Sequence, residues 1–459
     1  MRIKASLWMG GLLLALPLAH AIGQSISAET SLPANPISLA KALASARQNL
    51  TVSIANRTLA AARADVRSAD RDPLAQLSAK VGQMDLQNGL GPGNPLTQKR
   101  IDKSIGIDWT WERGNKRALR TQAAQLALSA VQADLEDVQL QQLLATHAAY
   151  FDLLAAQERL TQIAGIAVSA AELARTAALR VKAGDLAPQD AARTDIEAQR
   201  AQADVISAEL DRQRAALVLT QLMGRNDTLS TPGLGAASSP SDWPPAPVVP
   251  AQPAITGVAN GGGLTEHLSI DALNALVPSR PDVRAAQARV LAARSLVDNA
   301  SALKTADITI GSSLDHYPGT STRLLELRAQ MPLQGLLGGH NFEAEVDRAL
   351  ALLSQTQDAL DRARLAGLGE LHRQQQELAA SAQRVRSVDT DIVPRARRVA
   401  ELAEIAYAKG ALSLTDLLDA RRTLRTTLLD AISARADYAR ALGAWQLRTA
   451  PHTVAGALP

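Results

Sequence analysis

Ile101-Asp102-Lys103-Ser104-Ile105-Gly106-Ile107-Asp108-Trp109-Thr110-Trp111 is the stretch on which the fold turns. Its period is two. Ile101, Lys103, Ile105, Ile107, Trp109 and Trp111 alternate with Asp102, Ser104, Gly106, Asp108 and Thr110. An extended strand therefore presents a mostly apolar row ending in tryptophans on one face and a small or polar row on the other. A transmembrane barrel strand has this pattern: about 9–11 residues, apolar side chains to lipid, polar ones to the lumen, aromatics near the interface. Leu74–Asp85 reads as the partner strand, with Ala75, Leu77, Ala79 and Val81 alternating with Gln76, Ser78, Lys80 and Gly82. Gln87–Gln98, holding Asn88-Gly89 and Gly91-Pro92-Gly93, reads as the loop between them. The strands alone also permit a soluble α+β protein whose hairpins pack on helices.

Beyond Trp111 the period changes to that of a helix. From Asn115 to Lys182 only Gly165 interrupts, so a helix of roughly 68 residues and about 100 Å is expected. Gly184 can take the left-handed conformation that ends it, and Pro188 suits the first turn of a return helix, Gln189–Met223. Before the strands, Ile37–Asp70 reads as a helix. The same order recurs. Ile37-Ser38-Leu39 through Ala61-Ala62-Arg63 matches Leu268-Ser269-Ile270 through Ala292-Ala293-Arg294. Gly184 with Asp190 matches Gly410 with Asp416. In the second copy a helix is expected from Ile270 to Ala302 with a break at Arg280-Pro281. A long run follows from near Phe342 to Gly410, and a return helix over Leu414–Leu447. Ser413 with Asp416 resembles a capping box.

The second copy also repeats the strands. Asp307–Asp315 sets Ile308, Ile310 and Leu314 opposite Asp307, Thr309, Gly311 and Ser313. Arg323–Leu333 sets Leu325, Leu327, Ala329, Met331 and Leu333 opposite Glu326, Arg328 and Gln330, with His316–Thr322 as the loop. Four strands cannot close a barrel, and an open edge in lipid leaves backbone groups unpaired at several kcal/mol each. Such a chain must oligomerise. Three copies would supply twelve strands, within the usual range for outer-membrane barrels; the argument requires closure and does not fix the number three.

Composition agrees. Of 459 residues, 46% are hydrophobic but only 2% aromatic, which suits long Ala/Leu-rich helices. Lys+Arg 48 against Asp+Glu 45 is interspersed, so no nucleic-acid partner is expected. With no cysteine, disulfides and thiolate metal sites are excluded. Arg2 and Lys4, the apolar run Leu7–Leu18 and Ala19-His20-Ala21 read as a signal peptide over 1–21. No later stretch reaches the ~20 apolar residues of a spanning helix. The expected organisation is thus 1–21 signal peptide, 37–224 first repeat, 225–263 Pro/Gly-rich connector, 264–450 second repeat and 451–459 tail.

The duplicated set of helix, hairpin, long helix, Gly turn and return helix resembles the TolC-like outer-membrane efflux protein family. Leu39, Ala42-Leu43 with Asn49, Arg280-Pro281-Asp282, and Tyr407-Ala408-Lys409-Gly410 with Asp416-Leu417-Leu418-Asp419-Ala420 carry the likeness. The resemblance implies a mainly α chain with membrane β: a homotrimer with a 12-stranded β-barrel in outer-membrane lipid and a long periplasmic α-helical barrel. It implies a passive conduit for small molecules or metal cations. The partners it implies are a periplasmic adaptor and an inner-membrane pump of the resistance–nodulation–division or another type. It also implies that Gly184 and Gly410 turn the chain at the periplasmic tip. Asp416, Asp419 and Asp190 would form the pore constriction there. A basic residue that holds the tip shut in some relatives is replaced here by Leu412. Glu112-Arg113-Gly114-Asn115-Lys116-Arg117 with Arg120 is similar to a stretch of the heavy-metal subgroup. The same fold also serves type I protein secretion.

Asp416 alone would also be explained as a helix cap, and Asp190 as a solvated helix-start residue. His147, His267, His316, His340 and His372 are scattered, without metal-ligand spacing. No cofactor and no stored metal are expected. Gly261-Gly262-Gly263 lacks the ending of a phosphate loop. No nucleophile–base arrangement is readable, so an enzyme is not expected. A periplasmic coiled-coil adaptor is the alternative of a different class; it would carry one helical hairpin, not two.

Overall fold

A computed structural model describes residues 37–82, 87, 101–224, 268–317, 321–332 and 341–449. The expected signal peptide, the connector, the tail and most of the first strand loop lie outside them.

The chain begins with α1 (Leu39–Ala46) and α2 (Leu50–Ala69), then β1 (Gln76–Gly82) and β2 (Asp102–Trp111). The long α3 (Lys116–Ala183) and its return α4 (Pro188–Leu222) complete the first set. The second set is α5 (Ile270–Leu276), α6 (Pro281–Ala302), β3 (Ile308–Tyr317), β4 (Ser321–Gln330), α7 (Glu343–Arg386), α8 (Val393–Ala408) and α9 (Leu414–Thr449). α3 has 68 residues, about 100 Å at the helical rise.

Three elements depart from the sequence expectation. The helix expected over Ile37–Asp70 is two helices. Asn49 caps α2 through a 2.9 Å bond from the Thr51 amide, and its Nδ2 donates to the carbonyl of Leu222 at 2.8 Å. One side chain thus starts α2 and satisfies an orphan carbonyl at the end of α4. The second long run is not one α-helix. Residues Ser387–Ile392 form a π-helical turn between α7 and α8. Pro394 has no amide hydrogen, and its ring would strike the carbonyl four residues back; a widened turn relieves both. The loop expected over His316–Thr322 is shorter, because β3 runs on to Tyr317 and β4 begins at Ser321.

The break expected at Arg280-Pro281 is present: a short 3-10 turn, Val277–Ser279, precedes α6. Arg280 holds Asp282 through two hydrogen bonds at 3.1 and 2.8 Å, and the Val283 amide donates to Asp282 at 2.9 Å. Burial works against the Asp282 charge, but Arg280 and the amide outweigh it and hold its carboxyl below the usual range. Gly367 of α7 leaves the room that Arg280 fills.

The core has two main centres, beside the middle of α3 and the C-terminal parts of α7 and α9. Leu273, Val283, Leu371, Val385, Tyr438 and Trp445 pack α5, α6, α7 and α9 together. Ala42, Tyr150, Leu153, Leu219 and Ala439 do the same for α1, α3, α4 and α9. Each set's short first helix is seated on its own long helices, and α9 serves both centres. Among the described residues no helix is long and apolar enough to cross a membrane.

Candidate functional site

Two regions carry the chemistry: a sheet at one end of the helices and two helical turns at the other.

The four strands form one antiparallel sheet in the order β1-β2-β3-β4, leaving β1 and β4 as open edges. Leu77 pairs with Ile107, Ile105 with Leu314, Trp109 with Ile310, and Leu314 with Leu325. Because partners in register share a face, the apolar rows of all four strands merge into one surface. That surface is bare: Leu77 is 76% exposed, Ile107 54%, Trp111 54% and Leu327 76%. Exposing a large apolar side chain to water forfeits about 1.5–3 kcal/mol, so such a surface marks contact with something apolar. The opposite face is polar and narrow. Gly106 faces Ser78 and Ser313 there. Asp108 and Arg328 meet at 2.5 Å across Gly311, where any Cβ would collide with Asp108. Thr110 and Thr309 share a hydrogen bond at 3.0 Å.

At the far end the two turns use the same device. Gly184 has φ 84° and Gly410 φ 73°. The Asp185 amide reaches back to Arg180 at 2.9 Å, and the Ala411 amide to Ala406 at 2.8 Å. A β-carbon at either glycine would meet open space, so backbone handedness alone requires glycine. Pro188 occupies the first turn of α4.

The three aspartates expected at the constriction all lie within the first two turns of the helices that follow these glycines. Asp416 takes a 2.6 Å hydrogen bond from the Ser413 hydroxyl, which itself accepts from the Asp416 amide at 3.2 Å. Asp416 therefore belongs to the cap of α9. Asp419, one turn on, is exposed and 3.8 Å from Arg422. Asp190 opens α4 and lies 3.8 Å from Arg193. Asp416 and Asp419 share a face of α9; no hydrogen bond or ion pair joins either to Asp190.

What the sequence reading missed is the set of ties between the two hairpins. Arg422 of α9 grips Glu197 of α4 with bonds at 3.4 and 3.1 Å. Arg425 pairs with Asp204; within the second hairpin, Arg421 of α9 pairs with Glu404 of α8 at 2.8 Å. Arg180 lies 5.4 Å over the Tyr407 ring. A cavity of about 240 Å³ lies behind these ties, with Gly165, Ile166, Leu418 and Leu424 in its wall. A signal was available. Glu197 and Asp204 stand seven residues apart on one face of α4, and Arg422 and Arg425 three apart on one face of α9.

His147, read as scattered, is buried on α3 against Gly443 of α9, its ring 4.9 Å from that of Phe151. Burial lowers its pKa to about 4. Among the described residues no group of three or more His, Cys, Asp or Glu could hold a metal ion.

No family model matches the chain. It is 25% identical over 317 residues to the cobalt-zinc-cadmium resistance protein CzcC of Cupriavidus metallidurans, covering 68% of each chain. The outer-membrane channel OprN superposes with a TM-score of 0.72 at 20% identity over 90% of each chain. The CmeC outer membrane channel of Campylobacter jejuni gives 0.73 at 14% identity, over 95% of this chain and 94% of its own. These relatives are channel proteins or resistance proteins, and the chain has the TolC-like fold of the channels.

Proposed function

We propose that this chain, whose fold is that of the TolC-like outer-membrane channels, is the outer-membrane duct of a tripartite efflux pump. The observation that carries the reading is the sheet. It is bare and apolar on one face, polar on the other, open at both edges, and continuous through β2 with a helix about 100 Å long. Lipid covers the apolar face. The β4 edge of one copy closes on the β1 edge of the next, and three copies make a twelve-stranded barrel. From Lys103 to Trp111 the strand rises about 27 Å, close to the roughly 25 Å apolar band of such barrels once tilted. The helices then extend through the periplasm, where the turns at Gly184 and Gly410 form the tip. An exported chain with residues 1–21 removed and two repeats, 37–224 and 264–450, joined by 225–263, fits this placement.

At the tip three copies bring Asp416 and Asp419 around one axis, with Asp190 on the neighbouring helices. A ring of carboxylates favours cations and repels anions. Crowded like charges make conductance sensitive to divalent ions. The duct works without catalysis or cofactor. It meets a periplasmic adaptor and, through it, an inner-membrane pump of the resistance–nodulation–division type. Likeness to a cobalt-zinc-cadmium resistance protein favours divalent metal cations as cargo. Single-channel recording in planar bilayers tests the whole reading. The wild type should give small cation-selective currents blocked by divalent ions; Asp416→Ala/Asp419→Ala should lose selectivity or block. A protein that stays in solution without detergent and never inserts would sink the duct in favour of a periplasmic scaffold.

A further inference from the structure

The turn from β2 into α3, Glu112–Asn115, has a feature that conduction does not use. On its outer side lies a cavity of about 470 Å³ bounded by Trp109, Trp111, Arg113, Arg117 and Asp72. The tryptophan walls belong to the apolar face of the sheet, so the cavity is where that face ends. The cations that follow this turn at the start of α3 are matched by carboxylates. Lys116 meets Asp307 at 2.7 Å. Arg117 meets Asp70 at 3.0 Å and Asp72 at 2.6 Å. Arg120 meets Glu112 at 2.8 Å. Arg113 differs. Its amide donates to Asp307 at 3.0 Å, but its guanidinium meets only the Met331 sulfur at 3.9 Å, a weak acceptor. It is exposed, and among the described residues it forms no ion pair; the two carboxylates that also line the cavity, Asp72 and Glu112, are already paired with Arg117 and Arg120.

An open guanidinium beside two exposed indole rings, at the border of an apolar surface, matches one kind of molecule. It needs an anionic oxygen cluster directly joined to hydrocarbon. We propose that this cavity holds the phosphate of an anionic glycerophospholipid in the leaflet facing the periplasm. Arg113 binds the phosphate oxygens through its planar fork, and Trp109 and Trp111 lie along the first segments of the acyl chains. The inference rests on the duct reading, because only that reading brings lipid to this face. A soluble anion would satisfy Arg113 but has no use for the indole walls. Specific lipid here would fix the depth and rotation of the barrel where it meets the helices.

The test is native mass spectrometry of the full-length oligomer released from bilayers of phosphatidylglycerol and phosphatidylcholine in equal amounts, with bilayer conductance measured on the same preparations. Wild type should retain phosphatidylglycerol about fivefold over phosphatidylcholine, the enrichment that a cation near a lipid surface supports. Arg113→Gln should lose the enrichment while conducting normally, and Arg113→Lys should keep part of it. Trp111→Leu should lower retention of both lipids. Conducting wild type without enrichment, or equal enrichment in Arg113→Gln, overturns the lipid site alone. Displacement of phosphatidylglycerol by millimolar inorganic phosphate would make this a free-anion site and also overturns it. Failure of the wild type to insert overturns the duct and the lipid site together.

Discussion

His147 shows how far one residue can depend on its surroundings. In sequence it is one of seven histidines with no pattern. In the fold it fills the space that Gly443 leaves on α9, and a β-carbon at Gly443 would collide with its ring. Burial, not a charged neighbour, depresses its pKa to about 4 from an ordinary 6.5. The folded state therefore prefers the neutral ring. Its stabilisation is complete above pH about 6.5 and is lost as pH falls toward 4, a total of about 3 kcal/mol at 1.36 kcal/mol per unit. Urea unfolding at pH 7 and pH 4.5, compared between wild type and His147→Leu, isolates this contribution from the carboxylates. Wild type should lose about 2 kcal/mol more than the variant over that interval. Equal losses would show that the ring is hydrated or already charged at neutral pH. Nothing in the local sequence marks this histidine, because the glycine that accommodates it lies almost three hundred residues away.

At the scale of elements, the hairpin of α8 and α9 is held to α4 near its turn by partly exposed ion pairs, away from the core centre that α4 and α9 share. Arg422–Glu197 and Arg425–Asp204 lie on the surface, where each bridge contributes about 0.2–1 kcal/mol. Removing both should change global stability little while freeing the α9 side of the tip. Arg422→Ala/Arg425→Ala is expected to melt within a few degrees of wild type and to raise single-channel conductance. A double variant with unchanged conductance would show that these ties do not limit the opening. The elements themselves were largely legible. The uninterrupted run after Asn115 is α3, starting at Lys116, and Gly184 and Gly410 end their helices as the turn chemistry requires. The breaks at Asn49 and before Pro394 were not anticipated. Asn49 is a cap only because the end of α4 is within reach of its amide, and a proline tolerated inside a helix needs the π-helical turn that packing supplies.

For the whole molecule, the decisive property is a sheet that is complete in pattern but incomplete in closure. Ile107 lies mid-strand on the bare face between Leu77 and Ser312. A cation there would sit in lipid at a cost of about 2–4 kcal/mol. Ile107→Arg should therefore abolish stable assembly and insertion, read as loss of a detergent-resistant oligomer on gels and of liposome association. Thr309→Lys, on the polar face, should insert normally and alter ion selectivity. If Ile107→Arg inserts as well as wild type, the face does not meet lipid.

The sequence by itself determined the elements and their duplication. Period-two and period-3.6 patterns, glycine turns and prolines at helix starts act within a few residues and need no tertiary context. The aspartates near the turns were singled out by the family resemblance, not by these patterns. Only the tertiary structure decided the strand order, which merges four apolar rows into one face. Likewise it alone set arginines of α9 against acids of α4 and left Arg113 outside the ion pairs around it. The β2–β3 register and the α9–α4 ties join residues some two hundred positions apart, selected by register and packing. A linear pattern does not encode them until the chain has folded.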